Sequence, residues 1–505
     1  MFESQDYNRD SSCIFVIFGG TGDLTKRKLM PAFYSLMTNG PLADGTAVVC
    51  VGRREFTDEA FRESMRDAVE KFSRVGVDAA AWSGFSKKVF YRQYDFTSDI
   101  DGYSRLNSFL RVLDREFGTD GNRVFYLAVP PSHFEIIIKN LHSHGMLKKD
   151  GAWKRVMIEK PFGSSLKTAK LLNESISEVL HEEDIFRVDH YLGKEMIQNI
   201  LTVRFANSLF EPLWNHRFID NIQIISSETL GIENRGGYYE SSGILKDMLQ
   251  NHLLQMLTLV AMEPPVRLEP EFIRDEKVKV LRSLRLFDAL ASGDIVRGQY
   301  GGGVAQGVPV PGYKEEERVS DSSQTDTFIA LKVHIDNFRW GGVPFYIKSG
   351  KRLDKKTTEI AVQFKRLPGT GFYGEFGQTG PNLLVFEIQP REGFYFRINA
   401  KKPGSASLTE EVKMDYCQSC RVGINTPEAY ERLLLECVRN NTALFTRWDE
   451  LELSWNFVDS IEKTIRKEPP AYPNYAAGSS GPGEAMELVR RDGRQWWDVL
   501  EEDER

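Results

Sequence analysis

The chain runs to 505 residues, of which 41% are hydrophobic and 27% charged, and it carries a formal net charge of −7. Lys and Arg total 65 against 72 Asp and Glu, with no strongly basic tail, which argues against nucleic acid as a partner but leaves room for a local anion pocket. Five scattered cysteines speak against a disulfide framework, no apolar run reaches the roughly 18 residues of a membrane span, and Met1 to Ser12 lack a signal peptide's layout. The expectation is a cytoplasmic protein without a nucleic-acid or membrane partner, built of roughly two to three domains at about 150 residues each.

Taken in order, Ser12 to Phe18 (SCIFVIF) reads as a buried strand closed by the glycine turn Gly19-Gly20-Thr21-Gly22. Lys26 to Met37 follows with helical spacing. Further apolar runs at Ala47 to Val51, Val124 to Val129 and Val156 to Ile158 are separated by the helical patterns Asp58 to Phe72, Ser104 to Phe117 and His133 to His144. Strands alternating with helices predict a parallel sheet covered on both faces, up to about residue 185. Beyond it, Ile219 to Ser226, Thr327 to Phe338, Phe345 to Lys348, Thr358 to Phe364 and Leu383 to Gln389 read as strands of a mostly antiparallel sheet. Gly243 to Leu259 and Pro427 to Arg439 read as helices among them, and Gly298 to Ser323 as a long surface loop. The fold class is therefore α/β: a Rossmann-like parallel domain over 1–188, then a larger α+β domain over 189–505.

Six sequence elements bear on chemistry. A glycine turn between a strand and a helix lets backbone approach a pyrophosphate, so Gly19, Gly20, Thr21, Gly22, Asp23 and Leu24 are candidate nucleotide ligands. The second strand ends in Gly52-Arg53-Arg54, where arginine suits a 2′-phosphate better than a 2′-hydroxyl, favouring NADP over NAD. Glu159-Lys160-Pro161-Phe162-Gly163 lies at the carboxyl end of a later strand, the edge where ligands gather. Arg187 to Glu195 (RVDHYLGKE) joins the two expected domains, and His190, Tyr191 and Lys194 could converge there on a phosphate if the segment turns helical. On the Gly243 to Leu259 helix, Asp247 and His252 place a carboxylate and an imidazole near one another, though a histidine among apolar residues is more often a core residue. Cys417 and Cys420 form a lone Cys-x-x-Cys without the further ligands zinc would need, so ordinary thiols are expected there and no metal.

Those motifs, with Val310 to Tyr313, Thr325 to Phe328, Pro427 to Leu435 and Leu444 to Arg447 in the same order, make the chain resemble the glucose-6-phosphate dehydrogenase family from about residue 13 onward. The resemblance implies NADP as coenzyme, glucose 6-phosphate as substrate and a homodimer or homotetramer. It also implies that His252 is the base taking the proton from the sugar's C1 hydroxyl and that Asp189 orients its imidazole. By the same match His190, Tyr191 and Lys194 hold the phosphate, while Glu228, Asp247, Lys351 and Lys356 hold sugar hydroxyls. Lys160 stands between sugar and coenzyme, and Arg53 at the 2′-phosphate. Lys246 occupies a position where arginine is usual, and Asp326 one where glutamate is common. Two rivals remain: another NADP-dependent sugar or polyol oxidoreductase, which would not be expected to carry Arg187 to Glu195, and a catalytically silent NADP-binding protein, which would be expected to have lost His252, Asp189 or Lys194.

Overall fold

The computed structural model describes residues 11–38, 40–288, 293–367, 376, 379–418, 420, 426–465 and 470–499. They fall into two compact units. One holds Met1–Lys194, Arg267–Arg274 and Ile424–Glu452; the other holds Glu195–Val266, Asp275–Gly423 and Leu453–Arg505. The first unit thus runs past Val188 to Lys194 and takes in two later segments, whereas sequence pattern drew one continuous boundary.

In the first unit the strands are β1 (Ile14–Phe18), β2 (Ala47–Gly52), β3 (Val89–Gln93), β4 (Arg123–Leu127), β5 (Lys154–Ile158) and β6 (Ile185–Val188), all parallel. Their order across the sheet is β3-β2-β1-β4-β5-β6, with the two-residue strand Phe445–Thr446 antiparallel at the edge beyond β6. Between them lie α1 (Met30–Thr38), α2 (Asp58–Phe72), α3 (Ala79–Ser86), α4 (Ile100–Phe117), α5 (Phe134–Ser143) and α6 (Leu166–Ser177). Because helices cover both faces, β1, β2 and β4 are buried along their whole length, which is why they read as unbroken apolar runs. β3 and β6 escaped the sequence pattern: β3 is an edge strand that alternates buried and partly exposed positions, and β6 is four residues long. Capping side chains fix the helix starts, Thr57 accepting from the Ala60 amide at 3.2 Å and Asp99 from the Gly102 amide at 3.0 Å. The sheet order reverses on either side of β1, and the carboxyl ends of β1 and β4 flank the crevice where such folds collect ligands.

The second unit opens with α7 (Glu195–Phe205) and β7 (Ile219–Ser227), then α8 (Gly236–Ile244), a π-helical stretch Leu245–Leu253 and α9 (Leu254–Ala261). Its remaining main strands are β8 (Ile295–Gly298), β9 (Phe328–His334), β10 (Pro344–Gly350), β11 (Thr357–Phe364), β12 (Leu383–Gln389), β13 (Gly393–Lys401) and β14 (Thr409–Cys417). They form one sheet in the order β14-β13-β12-β11-β7-β10-β9-β8, antiparallel throughout except for the β7–β10 pair. Within Gly298 to Ser323, Gly303–Ala305 pairs with Val308–Val310 as a small hairpin. Cys417 and Cys420, expected as ordinary thiols, are joined in a disulfide with their Cα atoms 5.2 Å apart. β14 ends at Cys417, and the Cys420 amide lies 3.1 Å from the Cys417 sulfur. No helix among the described residues is long and apolar enough to cross a membrane.

Candidate active site

The glycine turn after β1 is shaped by contact with two neighbouring strands. Gly19 sits at φ +89°, and a Cβ there would lie 2.2 Å from the Ala128 carbonyl oxygen just beyond β4. A Cβ on Gly20 would lie 2.5 Å from the Cys50 Cβ in β2. Thr25 Oγ1 and the Gly22 amide both donate to the Gly19 carbonyl, at 3.1 and 2.9 Å, and the helical chain starts at once. The result is a side-chain-free cradle facing a helix N-terminus, which fits a pyrophosphate. Asp23 is exposed and pairs with Arg27 at 3.0 Å, and Leu24 is partly buried. Thr21 lies beside the end of β2, with its side chain 3.5 Å from where a Gly52 Cβ would be. There Arg53 and Arg54 are both exposed, their backbone carbonyls held by Gln93 Nε2 at 3.3 Å and the Tyr91 hydroxyl at 2.6 Å.

At the end of β5, Glu159 accepts from the hydroxyls of Tyr126 (2.6 Å) and Tyr430 (3.1 Å). Loss of water around it holds the Glu159 carboxyl above the usual carboxylate range, against those two donors and the Lys160 charge. Lys160 follows, partly exposed, at the sheet edge. After β6 the chain does not become helical until Glu195; Asp189 to Lys194 is a run of turns instead. Asp189 is buried, its Oδ1 accepting from the Tyr191 amide at 3.0 Å, and its carbonyl accepts from the Leu192 amide at 3.0 Å. His190, Tyr191 and Lys194 are brought together all the same, by turns and not by the expected helical spacing. The rings of His190 and Tyr191 are 5.0 Å apart, and the Lys194 ammonium lies 4.3 Å from the Tyr191 ring centre. A histidine, a tyrosine and a lysine so grouped can offer a phosphate both charge and hydrogen-bond donors.

In the second unit, Glu228 follows β7 directly and is fixed by backbone bonds on both sides, its amide to Gly350 O (3.0 Å) and its carbonyl from Leu353 N (2.9 Å). Lys351, just past β10, reaches Glu228 Oε2 at 2.6 Å and Asp247 Oδ2 at 3.5 Å. Asp247 also accepts from the Tyr238 hydroxyl at 3.4 Å and lies 3.9 Å from Arg235. Burial, with the Asp247 charge adding, lifts the Tyr238 hydroxyl to a pKa of about 12. Asp247 and His252 are both buried on the π-helical stretch, which begins just after Gly243 breaks the helix at φ 55°. In α winding five steps of about 100° would turn such residues well away from each other, whereas the wider π turn brings residues five apart nearer to one face. The winding thus sets a carboxylate and an imidazole on one side of the same element. Lys356 is exposed, and among the described residues no ion pair or hydrogen bond ties it to Glu228, Asp247 or Lys351. The two unusual residues are both held in ion pairs: Lys246 with Glu462 at 3.3 Å and Asp326 with Arg297 at 3.0 Å. Sequence reasoning missed Tyr126, Tyr430, Tyr238 and Arg235; for Tyr430 a signal existed, since it stands in the Pro427 to Leu435 segment.

Two family models divide the chain between them. "Glucose-6-phosphate dehydrogenase, NAD binding domain" matches residues 16–199, and "Glucose-6-phosphate dehydrogenase, C-terminal domain" matches residues 201–497. The chain belongs to the glucose-6-phosphate dehydrogenase family. It is 47% identical to the glucose-6-phosphate 1-dehydrogenase of Bacillus subtilis over 97% of this chain and 99% of that one. Identity to the Chlamydia pneumoniae enzyme of that name is 48%, over 96% of each. A solved glucose-6-phosphate dehydrogenase in complex with its substrate glucose-6-phosphate superposes with a TM-score of 0.88 at 36% identity, covering 96% of this chain and 99% of its own. Membership makes the chain an oxidoreductase of carbohydrate metabolism whose Rossmann-like domain takes a nicotinamide cofactor.

Proposed function

We propose that this chain oxidises D-glucose 6-phosphate at C1 to 6-phosphogluconolactone with hydride transfer to NADP, the first step of the oxidative pentose phosphate pathway. The observation that carries this reading is family membership over essentially the whole length, at 47% identity across 97% of the chain. His252 takes the proton of the C1 hydroxyl, and Asp189 keeps the imidazole oriented and stabilises its charged form. His190, Tyr191 and Lys194 bind the phosphate. Glu228 and Asp247 accept from sugar hydroxyls, and Lys351 and Lys356 donate to them. Lys160 lies between sugar and coenzyme, and Gly19 to Leu24 carry the pyrophosphate, with Thr21 beside Arg53 at the 2′-phosphate. The bound nicotinamide supplies the hydride acceptor. Residues 1–188 serve the coenzyme and 189–505 the sugar and self-association, as a homodimer or homotetramer. The location proposed for the chain is the cytoplasm.

The test is nicotinamide absorbance with purified chain, glucose 6-phosphate and either NADP or NAD. Rapid NADPH formation that vanishes with unphosphorylated glucose is expected. With His252→Asn, turnover falls by about 10²- to 10⁴-fold while the sugar phosphate still binds. Retained turnover would remove His252 from the base role, and equal rates with NAD would remove Arg53 from the coenzyme's phosphate. No reduction of either coenzyme by folded protein overturns the reading.

A further inference from the structure

Tyr430 has no part in the function proposed above, yet it stands where two parts of the first unit's site meet. Its helix, Ala429–Val438, presses on the turns after β6 so closely that a Cβ on Gly193 would lie 2.6 Å from the Ala429 carbonyl oxygen. Tyr430 itself is buried and lays its ring parallel to the His190 imidazole, with 6.3 Å between ring centres and 5° between planes. That is an offset stack. Its hydroxyl donates to Glu159 Oε1 at 3.1 Å, the same oxygen that takes the Tyr126 hydroxyl at 2.6 Å, and Glu159 directly precedes Lys160.

The start of this helix has little freedom to move. Glu431, also buried, takes two bonds from Arg74 at 2.6 and 2.7 Å and one from Ser35 at 2.8 Å. Glu428 pairs with Lys28 at 2.8 Å. The tyrosine between them is therefore anchored to the sheet domain on both sides.

We propose that Tyr430 is a positioning residue for substrate phosphate: its ring sets the plane of the His190 imidazole. The physical need is plain. An imidazole's outer torsion is broad and has two comparable wells, so a histidine holds one aim only if flat neighbours confine it. Tyr191, at 66° to the His190 plane, confines a second direction. A histidine N–H that bonds a charged phosphate oxygen loses most of that bond when turned away, which is worth about tenfold in affinity.

The proposal rests on the reading of His190 as a phosphate ligand, so the experiment separates the two. Tyr430→Leu, Tyr430→Phe and His190→Asn are compared with the parent, with NADP saturating. The quantities are KM for glucose 6-phosphate, inhibition by inorganic phosphate, KM for NADP, kcat and thermal midpoint. Tyr430→Leu is expected to raise the sugar-phosphate KM and the phosphate inhibition constant together by about tenfold, with kcat and the NADP KM within about twofold. Tyr430→Phe, which keeps the ring, stays near the parent. In the His190→Asn background Tyr430→Leu adds no further loss, because both act on one contact. If His190→Asn raises KM and Tyr430→Leu does not, the positioning role is overturned while the phosphate site stands. An unchanged KM in His190→Asn removes the phosphate reading and this proposal with it. A joint fall of kcat, both affinities and thermal midpoint in both Tyr430 variants would make the residue a packing element, which also overturns it.

Discussion

Lys351 sets one cation against two carboxylates, Glu228 and Asp247, and all three side chains are largely withdrawn from water, at 7%, 29% and 5% exposure. Charges so placed contribute little net stability as a pair, yet removing one partner leaves the others without their counter-charge in a poor solvent for ions. Lys351→Met is therefore expected to lose about 3 kcal/mol in urea unfolding, and Glu228→Gln added to it to recover at least half, since a neutral amide needs no cation. The sugar-phosphate KM stays high in both variants. A Lys351→Met protein as stable as the parent would show that the cluster carries no strained charge. The three residues could be named individually from family motifs, but their pairing could not. Lys351 and Glu228 are 123 positions apart, and an ion pair at that separation leaves no local pattern.

Elements differed in how plainly the sequence announced them. β1, β2, β4 and β5 stood out because burial on both faces demands a continuous apolar run, while β13 and β14 were hidden by strands such as Thr409–Cys417 (TEEVKMDYC), exposed over much of their length. The Gly243 to Leu259 helix was legible as helix, but its π winding over Leu245–Leu253 was not, because apolar spacing barely distinguishes the two. The glycine turn, by contrast, was legible together with its cause. Gly20→Ala would drive a Cβ to 2.5 Å from the Cys50 Cβ, an atom fixed to a central strand, so β1 or β2 must shift. The expected cost is about 1–3 kcal/mol, with weaker NADP binding and an unchanged sugar-phosphate KM. Gly22→Ala, whose Cβ would meet only the Gly19 carbonyl oxygen at 3.1 Å, should cost less. Urea unfolding and coenzyme titration would read both, and equal behaviour of the two variants would remove the packing explanation.

At the scale of the molecule, the parallel and antiparallel halves could be read from period alone, but the return of the chain could not. Tyr430, Leu433, Leu434 and Phe445 complete the apolar core around Phe15, Ile17 and Tyr126, more than 300 residues from their partners, and nothing local marks them as belonging there. Such long-range closure buries much more than aliphatic side chains. Tyr94, Tyr103, Tyr126, Tyr239, Tyr300, Tyr313 and Tyr475 are all buried, and burial pushes each hydroxyl's pKa up. The buried thiols of Cys13, Cys50 and Cys437 are pushed up likewise, Cys437 to about 12. Each group is neutral in both states at low pH, so its contribution is fully present below the unfolded value, about 8.5 for thiols and 10 for tyrosines. Above that value the unfolded chain releases the proton first, and stability is lost at about 1.4 kcal/mol per pH unit for each group. Seven tyrosines and three thiols acting together would exhaust a typical 5–15 kcal/mol by about half a pH unit above 10. Alkaline titration should therefore show a small early rise of tyrosinate absorbance from exposed rings, then a single steep rise by about pH 10.5 that coincides with loss of circular dichroism. If most tyrosines ionised smoothly around pH 10 with the dichroism intact, burial would not be what holds their protons.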